Sequence, residues 1–147
     1  MKDIRNWTIK EQHDSCELLN RVIDHLEEKE NFELRRLFAV GTRTIRTCRV
    51  CKEFSQKWVD YHILSLPITN FGTTIEDVIQ SFCIESILDD GNKFKCTKCK
   101  KPTKTTKQML ISKAPKILVL QMKRFKGEDD RRKLKTHVEF DKELVIS

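Results

Sequence analysis

The sequence predicts an α+β fold, and three observations carry that expectation. Two stretches bring apolar residues round at helical spacing behind capping signals. Several others are rich in β-branched and aromatic residues. No Ser/Gly/Pro-rich linker divides the 147 residues, and no internal repeat stands out beyond two Cys-x-x-Cys-Lys pieces. The length sets one domain, or part of a larger one, able to bury a modest core. With 35% charged and 38% hydrophobic residues, and only 4 Gly and 3 Pro, the composition excludes disordered and collagen-like chains.

The first helix is expected over about 15–30. Asp14-Ser15-Cys16-Glu17 has the form of a capping box, in which Asp14 accepts from first-turn amides and Glu17 reaches back. Leu18, Leu19, Val22, Ile23 and Leu26 then recur at helical spacing. A strand is expected over 38–48, where Thr42 and Thr44 stand among β-branched neighbours, and another over 58–68, closing at Pro67. A second capping box, Thr73 to Glu76, precedes Ile75, Val78, Ile79 and Phe82 at i, i+3, i+4 and i+7, which predicts a helix over 75–83. After Pro115, the unbroken run Ile117-Leu118-Val119-Leu120 reads as a strand covered on both faces. Gly127 to Arg132 reads as a solvated loop, after which His137-Val138-Glu139-Phe140 resumes strand alternation.

The first seven residues are charged and lack an apolar core, and the longest apolar stretch, 109–122, is interrupted by Lys113 and Lys116. Neither a secretory signal nor a membrane span is expected, which points to the cytoplasm and/or the nucleus. In such a reducing compartment six cysteines act as metal ligands, core residues or nucleophiles rather than as a disulfide framework. Cys48-Arg49-Val50-Cys51 and Cys96-Thr97-Lys98-Cys99 each offer two thiolates from a tight knuckle. Together Cys48, Cys51, Cys96 and Cys99 make the four ligands of one tetrahedral Zn²⁺, and a site closed by four sulfurs is structural rather than catalytic. The 44 residues between the pairs require the chain to leave the site and return, with a helix and at least one strand inserted.

Cys83, behind Phe82, reads as a small buried hydrophobe. Cys16 lies in a first helical turn, where the macrodipole lowers a thiol's pKa, but Asp14 and Glu17 oppose that, and no base oriented by a third group stands nearby. His13, His25, His62 and His137 fall at no metal spacing, and the last three read as structural. Net charge is +7, or +5 once four thiolates and one Zn²⁺ are counted. Lys93, Lys95, Lys98, Lys100, Lys101, Lys104 and Lys107 surround the second knuckle, and Arg131, Arg132, Lys133 and Lys135 form another run. These read as a solvated face and counter-charge, and without interleaved aromatics they argue against a nucleic-acid partner.

Taken in order, the motifs resemble one family, the ubiquitin-specific proteases, papain-like cysteine enzymes that cleave after the C-terminal glycine of ubiquitin. Gln12-His13-Asp14-Ser15-Cys16-Glu17-Leu18-Leu19 is similar to the family's Gln-Gln-Asp-Ala-x-Glu-Phe-Leu box. Leu37-Phe38 with the first knuckle resembles the strand entering the zinc-bearing fingers, and Leu64-Ser65-Leu66-Pro67-Ile68 the Leu-Ser-Leu-Pro-Ile segment. The helix over 75–83, Leu88-Asp89, Asn92-Lys93-Phe94 and the second knuckle follow in family order. Ala114-Pro115 through Leu118-x-Leu120-x-x-Lys123-Arg124-Phe125 and Val138-x-Phe140 resemble the two closing motifs.

The resemblance implies an incomplete papain-like deubiquitinase domain: a thumb helix region over 12–36, fingers with a zinc ribbon and inserted helix over 37–108, and palm strands over 109–147. It implies that ubiquitin or ubiquitinated proteins are the partners, that the fingers grip the ubiquitin body, and that Gln12, Asp14 and Glu17 help line the channel for its Arg-rich tail. Asp14 and Glu17 also have the plainer explanation of helix caps. The family's nucleophile comes from an Asn-Thr-Cys-Tyr box upstream of Gln12, where this chain has eleven residues and no cysteine, and its base from a Gly-His-Tyr box beyond the Val-x-Phe strand. No catalytic residue is therefore assigned, and the isolated chain is expected to be inactive. A complete chain would hydrolyse ubiquitin isopeptide bonds by thiol catalysis; the alternative is a catalytically dead ubiquitin-binding or scaffolding zinc-ribbon module.

Overall fold

The structure is a computed structural model and describes residues 13–30, 32–68, 74–89, 91–125 and 133–145. Helix α1 spans Ser15–Glu30 and α2 spans Phe32–Phe38. Strand β1 (Val40–Cys48) turns back through the first knuckle into β2 (Phe54–Tyr61), and β3 (Leu64–Pro67) follows. Helix α3 (Ile75–Cys83) leads to β4 (Ser86–Leu88), then to the short pair β5 (Phe94–Lys95) and β6 (Pro102–Thr103) around the second knuckle. Strands β7 (Thr105–Lys113) and β8 (Leu120–Lys123) complete the described elements. Helices and strands mix as an α+β fold, as expected. No helix among the described residues is long and apolar enough to cross a membrane.

The largest sheet runs β2-β1-β7-β4, antiparallel at each pairing, and β3 lies parallel to β8. Gly41 sits at a register shift between β1 and β7, where an added Cβ would stand 2.9 Å from the Lys113 Cβ; the close approach needs a residue without one. Val40, Leu64, Leu66, Val78, Ile79 and Val138 form the core, so α3 packs over the junction between the long sheet and the parallel pair. Each fully buried aliphatic of this kind contributes about 1.5–3 kcal/mol.

Both predicted helices stand where expected. The cap of α3 is one residue later than expected: Asp77 N donates to Thr74 Oγ1 and Thr74 N to Asp77 Oδ2, each at 3.2 Å, while Thr73 lies outside the described residues. The box before α1 closes on one side. Cys16 N donates to Asp14 Oδ1 at 2.7 Å, but Glu17 accepts from Arg21 at 2.8 Å one turn on instead of reaching back.

The strand expected over 38–48 starts at Val40, because Phe38 ends α2. The strand expected over 58–68 breaks at His62-Ile63, where His62 Nε2 meets Glu27 Oε1 at 2.9 Å and pulls the chain onto α1. The run after Pro115 becomes strand only at Leu120. Ile117 is 48% exposed, and its N–H is bonded to Leu37 O at 2.8 Å, so the expected cover on both faces fails there. Around His137 to Phe140 the ladder shrinks to a single bridge between Thr74 and Glu139; Val138 is buried while Phe140 is exposed. The loop expected over 127–132 lies outside the described residues.

Candidate metal centre and cleft

The two knuckles are built alike. Cys48 ends β1, its N–H bonded to Glu53 O at 2.8 Å, and Lys52 N returns to Cys48 O at 3.0 Å. Cys96 repeats the pattern, its N–H bonded to Lys101 O at 3.2 Å while Lys100 N returns to Cys96 O at 2.9 Å. Both turns close through a residue in the left-handed region, Lys52 at φ 61° and Lys100 at φ 57°, where glycine is the unstrained choice. Arg49 N donates to Lys104 O at 3.0 Å, and β1 pairs Cys48 with Thr105, so backbone bonds alone bring the knuckles face to face.

The four Sγ atoms of Cys48, Cys51, Cys96 and Cys99 all lie within 4.8 Å of one another. Cys51 and Cys96 are 3.6 Å apart and Cys48 and Cys99 4.0 Å. Tetrahedral thiolates at ordinary zinc–sulfur lengths stand about 3.8 Å apart, so the donor set fits a metal ion with shifts of about 1 Å or less. The local field also fits a cation. The Cys48 thiol is lowered to about 6, chiefly by the Cys51 backbone N–H and next by the Thr103 hydroxyl 3.2 Å away. Cys99 is pushed up to about 12, chiefly by its contact with the Cys51 thiol and then by burial. One thiolate is welcomed and the next resisted, as expected of sulfurs crowded together, and a cation among them would favour the charged form of all four. Thr103, buried beside Cys48, is a supporting residue that the sequence did not single out.

At the other end of the molecule a cleft of about 820 Å³ opens between the start of α1 and β8, lined among others by His13, Asp14, Cys16, Gln121, Lys123 and Phe125. Asp14 is fixed in it by a relay across three elements. Ser65 Oγ donates to Gln121 Oε1 at 2.6 Å, which leaves the Gln121 amide nitrogen facing Asp14 Oδ2 at 3.3 Å, while Asp14 Oδ1 caps α1. Ser65 and Gln121 are register partners in the parallel pair, a relation invisible to local sequence reading. Of the three residues implied as ubiquitin-tail contacts, Asp14 lines the cleft, Glu17 is tied to Arg21 and is not among the lining residues, and Gln12 lies outside the described residues. Cys16 also lines the cleft, its thiol raised by burial first and the Asp14 carboxylate second, so it stays protonated at neutral pH.

A long antiparallel sheet ending in four thiols placed to hold a metal ion, joined through a small core to a helix-flanked cleft, defines the class as an α+β domain with a candidate metal centre. Its family follows from comparison: the chain belongs to the ubiquitin carboxyl-terminal hydrolases, whose family model matches residues 2–147. Ubiquitin carboxyl-terminal hydrolase 2 of Gallus gallus is 37% identical over 118 residues, covering 78% of this chain and 33% of the relative. Ubiquitin carboxyl-terminal hydrolase 9Y of Homo sapiens is 27% identical over 155 residues, covering 97% of this chain and 6% of the relative. The probable ubiquitin carboxyl-terminal hydrolase 9 of Schizosaccharomyces pombe is 38% identical over 87 residues, covering 58% of this chain and 15% of the relative. The chain thus spans a third or less of the length of these relatives.

Proposed function

We propose that this chain is the ubiquitin-holding segment of a cysteine-type deubiquitinase. Its thumb region would cover 12–36, its fingers 37–108 and its palm strands 109–147. The cleft between α1 and β8 carries the reading, because it presents an oriented carboxylate, Asp14, on which the Arg-rich tail of ubiquitin would dock. Gln12 and Glu17 would be the further tail contacts that the family resemblance implies, Glu17 once released from its bond to Arg21. The protonated Cys16 thiol fits a cleft that holds a chain end rather than one that attacks it. In a longer protein, hydrolysis of the isopeptide bond would use a thiolate and an imidazole supplied elsewhere.

Cys48, Cys51, Cys96 and Cys99 would hold one Zn²⁺ as a structural ion, since four sulfurs leave no position for water or substrate. The ion supplies cross-linking, and the chain's own residues do the recognition. The experiment is a titration of ¹⁵N-labelled ubiquitin with the full, zinc-loaded chain. Chemical-shift changes should concentrate on the ubiquitin tail and weaken severalfold with Asp14→Asn. Tail signals that do not move at millimolar concentration overturn the reading. A ubiquitin derivative with an electrophilic C-terminus should leave the chain unmodified; a covalent adduct lost with Cys16→Ala would make Cys16 a nucleophile instead.

A further inference from the structure

The charge of this protein is divided between its two ends. Residues 43–58 and 91–113 carry five and eight basic residues, and Glu53 is their one acid; over the rest of the chain acids outnumber bases. Folding gathers the two stretches at the metal centre through the Arg49–Lys104 backbone bond and the β1–β7 ladder. Arg49, Lys52, Lys98, Lys100, Lys101 and Lys104 are all exposed there, and among the described residues no ion pair joins any of them to an acid. Four thiolates with a divalent ion leave a charge of −2, which two lysines would balance. The surplus repels itself and costs stability unless a partner of opposite charge is bound.

A second, independent observation points the same way. The residues that close the two knuckles in the left-handed region are both lysine, where glycine would escape the Cβ strain. Backbone strain of this kind, held at two matching positions, marks side chains kept for what they do. Beside these lysines Val50 is 66% and Phe54 65% exposed, so the charged surface carries apolar contacts within it. The nearby rings of Phe94 and Trp58 each carry a guanidinium over one face, from Arg46 at 5.0 Å and Arg43 at 5.4 Å; Trp58 is still 58% exposed, so a nucleic-acid duplex is a necessary control.

We infer that the metal-centre end of the sheet is a docking surface for an acidic polypeptide segment with interspersed aliphatic residues, gripped by Lys52, Lys98, Lys100, Lys101 and Lys104 around Val50 and Phe54. The surface lies on the metal-bearing end of the sheet and makes no use of the α1–β8 cleft. The test is fluorescence anisotropy on the full, zinc-loaded chain with three labelled probes: a peptide of repeated Glu-Glu-Leu, its Gln-Gln-Leu counterpart, and a DNA duplex of matched charge. The acidic peptide should bind best, losing about tenfold or more in affinity between low and physiological salt, and the Gln peptide should not bind. Lys98→Glu with Lys101→Glu and Lys104→Glu should abolish binding while zinc content, measured by mass spectrometry, stays the same.

The sharper variant is Lys52→Gly with Lys100→Gly. It should weaken peptide binding severalfold and leave the melting temperature unchanged or raised, because strain is relieved as charge is lost. Peptide binding unaffected by these glycines, or a lower zinc affinity with unchanged peptide binding, overturns the inference and makes the lysines counter-charge for the metal. Tighter binding of the duplex than of the acidic peptide, lost with the same substitutions, overturns it in favour of a nucleic-acid surface.

Discussion

The two ends of this molecule are ordered by different forces. At the junction of β3, β8 and α3, six buried apolar side chains enclose one another, and Leu66 and Val78 are wholly buried. At the knuckles the buried residues are Cys48, Cys96, Thr103 and Thr105, with lysines outside and Phe54 exposed. The first end gains its order from removing hydrocarbon from water; the second brings four sulfurs together, and on the function proposed above its order would come from their converging on a cation. The difference teaches that a bound metal would make one half of the molecule answer to ligand and pH, while the other answers to packing.

Metal removal should break this comparison most visibly. Structural zinc in four-ligand sites contributes about 10–16 kcal/mol of apparent binding free energy, so a strong chelator or Cys96→Ser should melt the knuckle end. Hydrogen exchange should lose protection across 94–106 while amides of β3 and α3 stay slower; equal loss at both ends would end the two-force account. Acid should act the same way. A thiol whose folded pKa is lowered contributes stability that is present above its ordinary value and lost as pH falls through the folded value. For Cys48 in the metal-free protein that value is about 6. Protons compete with the metal in the same direction, so zinc content followed by mass spectrometry should fall on acidification and recover on return to neutral pH.

Leu66→Ala is the converse, expected to cost about 2–5 kcal/mol in urea unfolding because the site is fully enclosed. It should leave zinc stoichiometry unaltered. Gln121→Leu removes both bonds of the relay to Ser65 and Asp14, with an expected cost of about 1 kcal/mol by urea unfolding. Thr103→Val deprives the Cys48 sulfur of a hydroxyl donor at a cost of about 1 kcal/mol, read as weaker zinc retention against a competing chelator. A Thr103→Val effect on the core without one on zinc would mean that the two ends share one force after all.

What the sequence made legible was whatever is local. The knuckles could be read because each pair of sulfurs is three residues apart and needs no partner segment to be recognised. Helix α3 was legible for the same reason, although Thr73 to Glu76 and Thr74 to Asp77 satisfy the capping pattern equally well, and only the backbone chooses the second. Strand β7 was not singled out. It lies between β1 and β4 in the sheet, yet its threonines, lysines and glutamine imitate a surface segment.

Long-range relations escaped altogether. The His62 contact that breaks the strand spans 35 positions, and Ser65 and Gln121 are 56 apart, so no window of local sequence contains either pair. The resemblance to a known family named Asp14 as a tail contact, but gave no sign of the Gln121 amide that faces it.

The 44 residues between Cys51 and Cys96 carry β3 and α3, which supply four of the six core residues, Leu64, Leu66, Val78 and Ile79. A bound ion therefore ties off a loop that contains much of the hydrophobic centre, though it touches none of it. Closing a loop of this length in the denatured chain removes entropy worth about 4 kcal/mol at room temperature. A bound metal would thus act on the core through the unfolded state, by shrinking the space that the unfolded core can wander, and the melting point of a region with no sulfur contact would become a readout of metal occupancy.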